Sequence, residues 1–185
     1  MRFLAVLGLA VVLAPAATYR IDSSHSSVQF KVKHLMITNV RGEFGKVAGM
    51  LVFDPAKPGE SKVEAAIPVE TVNSREAKRD SDLKGPDWFD AAKFPQVTFK
   101  STKFEAAGPG KFKVTGDLTM HGTTKQVVLE VDGVSGEVKG SRGDTRMGAQ
   151  AVTRINRRDF GMTSSPAAVV ADEVEITLDL EFIKQ

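Results

Sequence analysis

The chain has 185 residues, with 25 Lys and Arg against 23 Asp and Glu, and no cysteine. That length suits a single domain with a real core, and the near-neutral balance gives no overall electrostatic footprint for nucleic acid or for anionic lipid surfaces. The lack of cysteine excludes disulfides, thiolate chemistry and Cys-ligated metal.

Residues 1–16 read as a secretory signal peptide. Arg2 is a short positive region, residues 3–13 form an apolar run, and Ala14-Pro15-Ala16 is a small-x-small cleavage site. The run is too short for a membrane span, and no cysteine is present to carry a lipid anchor. Cleavage after Ala16 removes Arg2 and leaves 24 basic against 23 acidic side chains, a net charge of +1. The mature domain, residues 17–185, is then a periplasmic or secreted protein that holds together by packing alone.

Residues 19–22 read as a short first strand. Val28, Phe30 and Val32 alternate with Gln29, Lys31 and Lys33, as in a strand with one wet face. Residues 41–53 suggest one long bent strand, with Gly42, Gly45 and Gly49 at bulges or barrel corners. A turn over residues 54–61 leads to a strand with Val63, Ala65, Ile67 and Val69 on one face, and Pro68 marks an edge or a bulge. Asn73 is placed to cap a helix over residues 74–83, with Glu76 completing a capping box.

Residues 82–102 break the alternation. They hold Trp88, the only tryptophan, with Phe89, Phe94 and Phe99. Gly85-Pro86 ends any preceding helix, and Leu83, Trp88 and Phe89 among charged residues suit a helical turn or lid. The plain reading is that these aromatics cover one end of a core. The sharper one is that they close the mouth of a pocket. Beyond Pro95 the strands resume. Phe104 falls out of phase with Val97 and Phe99, which predicts a bulge. Gly108-Pro109-Gly110 and His121-Gly-Thr-Thr124 are turns around a strand bearing Phe112, Val114, Leu118 and Met120. Val127, Leu129 and Val131 follow, then a glycine-rich loop over residues 133–143. Met147, Ala149, Ala151, Thr153 and Ile155 line one strand face. Residues 156–162 are a loop, residues 164–171 a flexible segment, and Val174 to Phe182 a closing strand. Eight or nine strands joined by short turns imply an all-β antiparallel fold, either a sandwich or a closed barrel. Long strands, glycines at bends and two amphipathic terminal strands that need partners favour the barrel. The dense charge on the polar faces argues against an outer-membrane barrel.

Six segments match one family in order. They are Tyr19-Arg-Ile-Asp-Ser-Ser-His-Ser-Ser-Val-Gln-Phe30, Val40-Arg-Gly-Glu-Phe44, Leu83-Lys-Gly-Pro-Asp-Trp-Phe-Asp90 with Lys93-Phe-Pro-Gln-Val-Thr-Phe99, Gly116-Asp-Leu-Thr-Met-His-Gly-Thr-Thr-Lys125, Arg158-Asp-Phe-Gly-Met162 and Asp172-Glu-Val174. Together they resemble the YceI-like family, periplasmic lipocalin-like proteins that bind polyisoprenoids. Trp88 stands where that family usually has Phe or Tyr, and Pro86 where Ala, Ser or Glu is common; both changes keep the segment apolar. The resemblance implies an extended eight-stranded antiparallel barrel with one short helix and a helical lid segment. It also implies an elongated apolar cavity for an isoprenoid chain, such as a quinone tail or polyprenyl lipid. The expected partner is such an amphiphilic lipid, with a homodimer left open, no nucleic acid, no cofactor and no membrane span after signal removal.

The expected cavity residues are Val28, Phe30, Val32, Phe44, Phe53, Ala65, Ile67, Val69, Phe99, Leu118 and Met120 inside the barrel. Leu83, Trp88, Phe89 and Phe94 belong to the lid, and Phe160 and Met162 to the loop over residues 156–162. Ala65, Ala149, Ala151 and Gly116 supply small volumes that fit a partly filled channel. Alternation alone does not distinguish it from a solidly packed barrel; the family resemblance favours the hollow version. Arg158 is the head-group candidate, and the rival reading pairs Arg157, Arg158 and Asp159 structurally. His25, His34 and His121 have no metal-binding spacing. Asp22, Ser24, His25 and Ser26 are strand neighbours without a nucleophile elbow, so no hydrolytic triad is expected. The leading expectation is a non-enzymatic carrier or sequestering protein. Its rivals are a lipid-modifying enzyme, which would need an inward acid–base pair, and a protein-interaction or stress-response module with a filled barrel. The latter would need an exposed apolar patch, which the charged outer faces do not suggest.

Overall fold

The computed structural model describes residues 16–185. The expected signal peptide therefore lies, apart from Ala16, outside the described residues. Among the described residues eleven strands form one sheet: β1 (Ala17–Ile21), β2 (Ser27–His34), β3 (Thr38–Phe44), β4 (Ala48–Phe53), β5 (Lys62–Pro68), β6 (Gln96–Gly108), β7 (Lys111–Met120), β8 (Thr123–Asp132), β9 (Val138–Lys139), β10 (Thr145–Asn156) and β11 (Val170–Lys184). The helix α1 spans Ala77–Lys84.

Eight of these strands close a ring in the order β11-β1-β4-β5-β6-β7-β8-β10, and β10 pairs back onto β11. That seam is antiparallel from Arg146↔Ile183 to Asn156↔Glu173. Every barrel strand therefore has two neighbours over part of its length, which removes the free edges an open sheet would leave. The β2–β3 hairpin extends beyond the ring. β1 pairs with β11 near its end, at Tyr19↔Lys184 and Ile21↔Phe182. β2 pairs with the first half of β11, from Val170↔His34 to Asp179↔Ser27. The expected long strand over residues 41–53 is likewise broken, at residues 45–47, where Lys46 adopts a φ of +55°. β4 stays in the ring, and β3 leaves it with β2.

The helix starts later than expected. Arg75 has a φ of +65°, which no α-helix accommodates. Asn73 is held extended by a two-way backbone bridge with Glu43, and its side chain accepts from the Arg75 N–H. Glu76 is therefore the cap, and its carboxylate accepts from the Lys78 and Arg79 N–H groups. No residue of α1 is buried; the helix carries the chain across the end of the barrel rather than filling it. The segment after it is a run of turns rather than helix: Trp88 and Asp90 N–H both bond to the Gly85 carbonyl, and Phe94 N–H bonds to the Asp90 carbonyl.

Pro68 ends β5 opposite Gln96. The next residue, Val69, leaves the strand in a 3-10 turn and donates to the Pro95 carbonyl. In β6 the pairing register shifts between Ser101 and Lys103. This bulge returns Phe104 to the buried face, where it is 8% exposed.

The two ends of the barrel differ. Around β1, β4, β7 and the end of β11 lie Tyr19, Leu51, Phe53, Phe112, Met147 and Phe182, all buried. Phe53 and Phe112 meet edge-to-face at 5.6 Å. The opposite end is covered by Val69, Ala91, Ile155, Phe160 and Met162, with Trp88 and Phe89 packed against them.

Candidate functional site: an apolar channel inside the barrel

Strand alternation projects every second side chain inward. β11 contributes Val174, Ile176, Leu178, Leu180 and Phe182 to one wall, and β10 contributes Met147, Ala149, Ala151, Thr153 and Ile155 to the next. These walls enclose a cavity of about 220 Å³. Val174 and Phe182 are eight residues apart, roughly 27 Å along the strand at about 3.4 Å per residue. A barrel tilt of about 40° reduces that to roughly 20 Å along the axis. So little volume over that length makes a slender channel, smaller than the ~300 Å³ where drug-sized pockets begin. Its shape is that of one flexible aliphatic chain.

Most of the expected residues line this channel. Val28, Phe30, Val32 and Phe44 come from the β2–β3 hairpin, and Phe53 from β4. Ala65 and Ile67 come from β5, Phe99 from β6, and Leu118 and Met120 from β7. Leu83, Trp88, Phe89 and Met162 line it from the covered end. Phe89 is fixed against Phe44 edge-to-face at 5.4 Å, and Phe44 lies 5.9 Å from Phe30. The aromatic segment is thereby tied to the hairpin that flares from the ring.

Four expected residues do not line the channel. Val69 and Phe160 are buried behind the wall, each 1% exposed. Phe94 turns outward, packing edge-on to His121 at 5.6 Å and over Gly122. Arg158 also faces away: its guanidinium bonds Asp172 at 2.6 Å and the Ser165 carbonyl at 3.0 Å. The reason is local geometry. Residues 157–160 form a 3-10 turn, in which positions i and i+3 eclipse and neighbours diverge by about 120°. Arg157 and Phe160 share the inner side, and Arg158 points out.

Arg157, not singled out for the channel by its sequence context, is the charged residue of the wall. It is 2% exposed. Its Nε donates to the Ala171 carbonyl at 3.1 Å. One terminal nitrogen donates to the Met162 carbonyl. The other reaches the carbonyls of Ser165 (2.6 Å) and Val170 (2.9 Å) and the Asp172 carboxylate (3.0 Å). The guanidinium also lies 5.5 Å from the Trp88 ring centre. Burial pulls its pKa below the usual value while Asp172 opposes that shift; a guanidinium still remains protonated at neutral pH. Residues 164–171, expected to be flexible, are thus tied to the barrel by Arg157 at Ser165, Val170 and Ala171, with Arg158 also holding Ser165 and the Leu35 N–H holding Val169.

The other polar wall residues are Gln29, Thr98 and Thr153. Among the described residues the wall carries neither a carboxylate nor an imidazole. Sequence reading also passed over Val127, Leu129 and Val131 of β8 and the β11 row as ligand contacts, although their alternation was plain.

A second polar cluster lies beside the β1–β11 pairing. His25 Nδ1 is 3.0 Å from Asp22 Oδ2 and 3.3 Å from Ser24 Oγ. A catalytic relay needs its serine and its carboxylate on opposite ring nitrogens; here both face Nδ1. Asp22, His25 and Glu181 could in principle gather round a cation, but Arg146 already bonds Asp22 at 2.8 Å, as well as Glu181 and Asp144. Hydrogen bonds from Ser24 and His25, with a smaller contribution from Arg146, hold Asp22 well below the usual carboxylate range. One guanidinium thus bridges three carboxylates in a hydrogen-bonded structural network.

A YceI-like domain model matches residues 19–182. The chain belongs to the YceI-like family. A UPF0312 protein of Vibrio parahaemolyticus is 36% identical to this YceI-like chain over 185 residues, covering 96% of each. Among solved structures, BcnA of Burkholderia cenocepacia superposes with a TM-score of 0.79 at 30% identity, covering 87% of this chain and 98% of BcnA. A polyisoprenoid binding domain from Saccharophagus degradans has a TM-score of 0.66, covering 92% of this chain and all of that one. At 15% identity this last likeness shows a shared fold. Among the described residues no helix of this YceI-like barrel is long and apolar enough to cross a membrane.

Proposed function

We propose that this YceI-like protein binds an amphiphilic isoprenoid, a polyprenyl lipid or quinone tail, as a non-enzymatic carrier or sequestering protein of the periplasm or extracellular space. The observation that carries the reading is the narrow channel whose wall is apolar along the length of β11. A flexible hydrocarbon gains roughly 0.8 kcal/mol per buried CH₂, against about 0.5–1.5 kcal/mol for each segment it orders. Such a site selects by length and width rather than by hydrogen bonds. The shared fold with a polyisoprenoid binding domain supports the same ligand class.

The head-group contact is assigned to Arg157 rather than Arg158, because Arg157 reaches the wall. Five N–H donors serve a guanidinium, and the bonds of Arg157 leave one hydrogen on the nitrogen facing Met162 without an acceptor among the described residues. A single donor suits a quinone carbonyl or an alcohol; a diphosphate would call for a free fork.

The test is mass spectrometry of an organic extract from protein purified without detergent from a bacterial periplasm. A stoichiometric quinone or polyprenyl species is expected, and Ile67→Asp and Phe99→Asp should each abolish uptake of added isoprenoid. An empty extract from folded protein that also takes up no added isoprenoid would overturn the proposal, as would undiminished binding by both variants.

A further inference from the structure

The turn joining β2 to β3 holds three consecutive exposed apolar side chains, Leu35, Met36 and Ile37. Ile37 N–H donates to the His34 carbonyl at 3.2 Å, closing a tight turn with Leu35 and Met36 at its centre. Both central residues have positive φ, 49° and 60°. His34 pairs with Thr38, so three residues make the loop; a tight turn with positive φ at both central positions favours Asn-Gly or Gly-Gly, because bulky side chains are strained there. Here the strained positions hold a leucine and a methionine that stay half or more exposed. Leu35 is 50% exposed, Met36 60% and Ile37 79%. Val169, whose carbonyl accepts from Leu35 N–H at 2.8 Å, adds to the patch at 36% exposure. This is the contiguous apolar surface that the charged strand faces gave no reason to expect.

The charge of the hairpin itself is one-sided although the whole chain is nearly neutral; the carboxylates of adjoining β11 are paired, Asp172 with Arg157 and Arg158, Glu173 with Arg154, and Glu175 with Lys31 and Arg154. From Lys31 to Gly42 the hairpin carries Lys31, Lys33 and Arg41 and no carboxylate. Lys33 and Arg41 are exposed, while Lys31 is paired with Glu175. Apolar side chains at a tip with exposed cations on the strands behind them complement an anionic bilayer surface, whose acyl boundary takes the first and whose phosphates take the second. The tip also adjoins the channel: Val32 and Val170 line it, and Val170 pairs with His34 at the start of β11.

We propose that residues 35–37 form a finger that inserts into the interface of an anionic phospholipid bilayer and seats the covered end of the barrel on it. The inference is independent of what occupies the channel.

The test is flotation of residues 17–185 with vesicles of phosphatidylcholine alone and of phosphatidylcholine with phosphatidylglycerol. Wild-type protein is expected to float with the anionic vesicles and to be released by salt. The double variant Leu35→Asn, Met36→Gly installs the residues that such a turn prefers, so its melting temperature should hold or rise while its vesicle-bound fraction falls about tenfold. Lys33→Gln with Arg41→Gln should weaken binding to anionic vesicles. Failure of the wild type to float, or equal flotation of the Asn-Gly variant, overturns the proposal. So does a wild-type dimer that the Asn-Gly variant dissolves without any vesicle binding; the tip would then be a contact between two copies of the chain.

Discussion

Replacing Arg157 with methionine keeps most of the aliphatic volume and removes every guanidinium bond at once. Four carbonyls, those of Met162, Ser165, Val170 and Ala171, lose a donor, and Asp172 keeps only Arg158. Fully buried and unmatched, each carbonyl would cost about 1–3 kcal/mol. Ser165, Val170 and Ala171 are only half-buried and can turn to water, which leaves the full penalty mainly at Met162, together with the loss of the Trp88 contact. The expected destabilisation is about 3–5 kcal/mol, the range for breaking a buried charge network from one side. At about 2–4 °C per kcal/mol for a domain of this size, the melting temperature read by circular dichroism should fall by roughly 10 °C. Hydrogen exchange should quicken first in residues 162–171, because Arg157 bonds four carbonyls of that segment. Arg157→Lys should recover little, since one ammonium cannot span acceptors lying on several sides. A methionine variant within about 0.5 kcal/mol of wild type, with unchanged exchange in residues 162–171, would refute the pinning argument.

Gly116→Val should destabilise by about 1–3 kcal/mol in urea titration, because a Cβ there strikes the Phe99 ring and the Lys100 carbonyl; the displaced ring should also narrow the channel and weaken isoprenoid uptake. Asp22 and Glu175 both have carboxylate pKa values lowered in the fold, Asp22 chiefly by Ser24 and Glu175 chiefly by Lys31 and then Arg154. Their contribution is therefore fully present above the unfolded carboxylate values near 4 and lost as pH falls through the lower folded values. The urea midpoint should hold from pH 7 to about 5 and drop below about 4, with a shallower drop in Glu175→Gln.

The barrel was readable because its inward residues follow a strict period of two on long strands such as β7, β10 and β11, and that period survives any tertiary context. What was not readable depends on single dihedral angles. The helix cap moved from Asn73 to Glu76 because Arg75 takes a positive φ, and the strand over residues 41–53 broke at Lys46 for the same reason. Arg158 was favoured over Arg157 because nothing in a run of two arginines says which one a 3-10 turn will turn inward. Only the phase of the turn, with Phe160 three residues on, decides it. The exposed tip was not readable because residues 34–40 are apolar and irregular in sequence, and only the positive φ of Leu35 and Met36 shows that the chain reverses there.

Why the barrel is hollow is a matter of where its bulk lies. Aromatic residues gather at the end near β1, where Phe53, Phe104, Phe112 and Phe182 are all within 9% exposure and close the floor. Along the middle of the wall β5 and β10 place Ala65, Ala149 and Ala151, and Gly116 of β7 faces the Phe99 ring. Alternation is blind to this, since alanine and phenylalanine score alike as inward residues. A closed eight-stranded ring has a fixed radius, so small side chains on these non-adjacent strands cannot be compensated by moving the walls together, and the missing volume persists as a channel. Trp88 and Phe89 cover it from a run of turns rather than from the sheet, and turns can rearrange without breaking a strand ladder. The covered end is therefore the end through which a chain would enter, and it is the end that carries Arg157 and the β2–β3 finger.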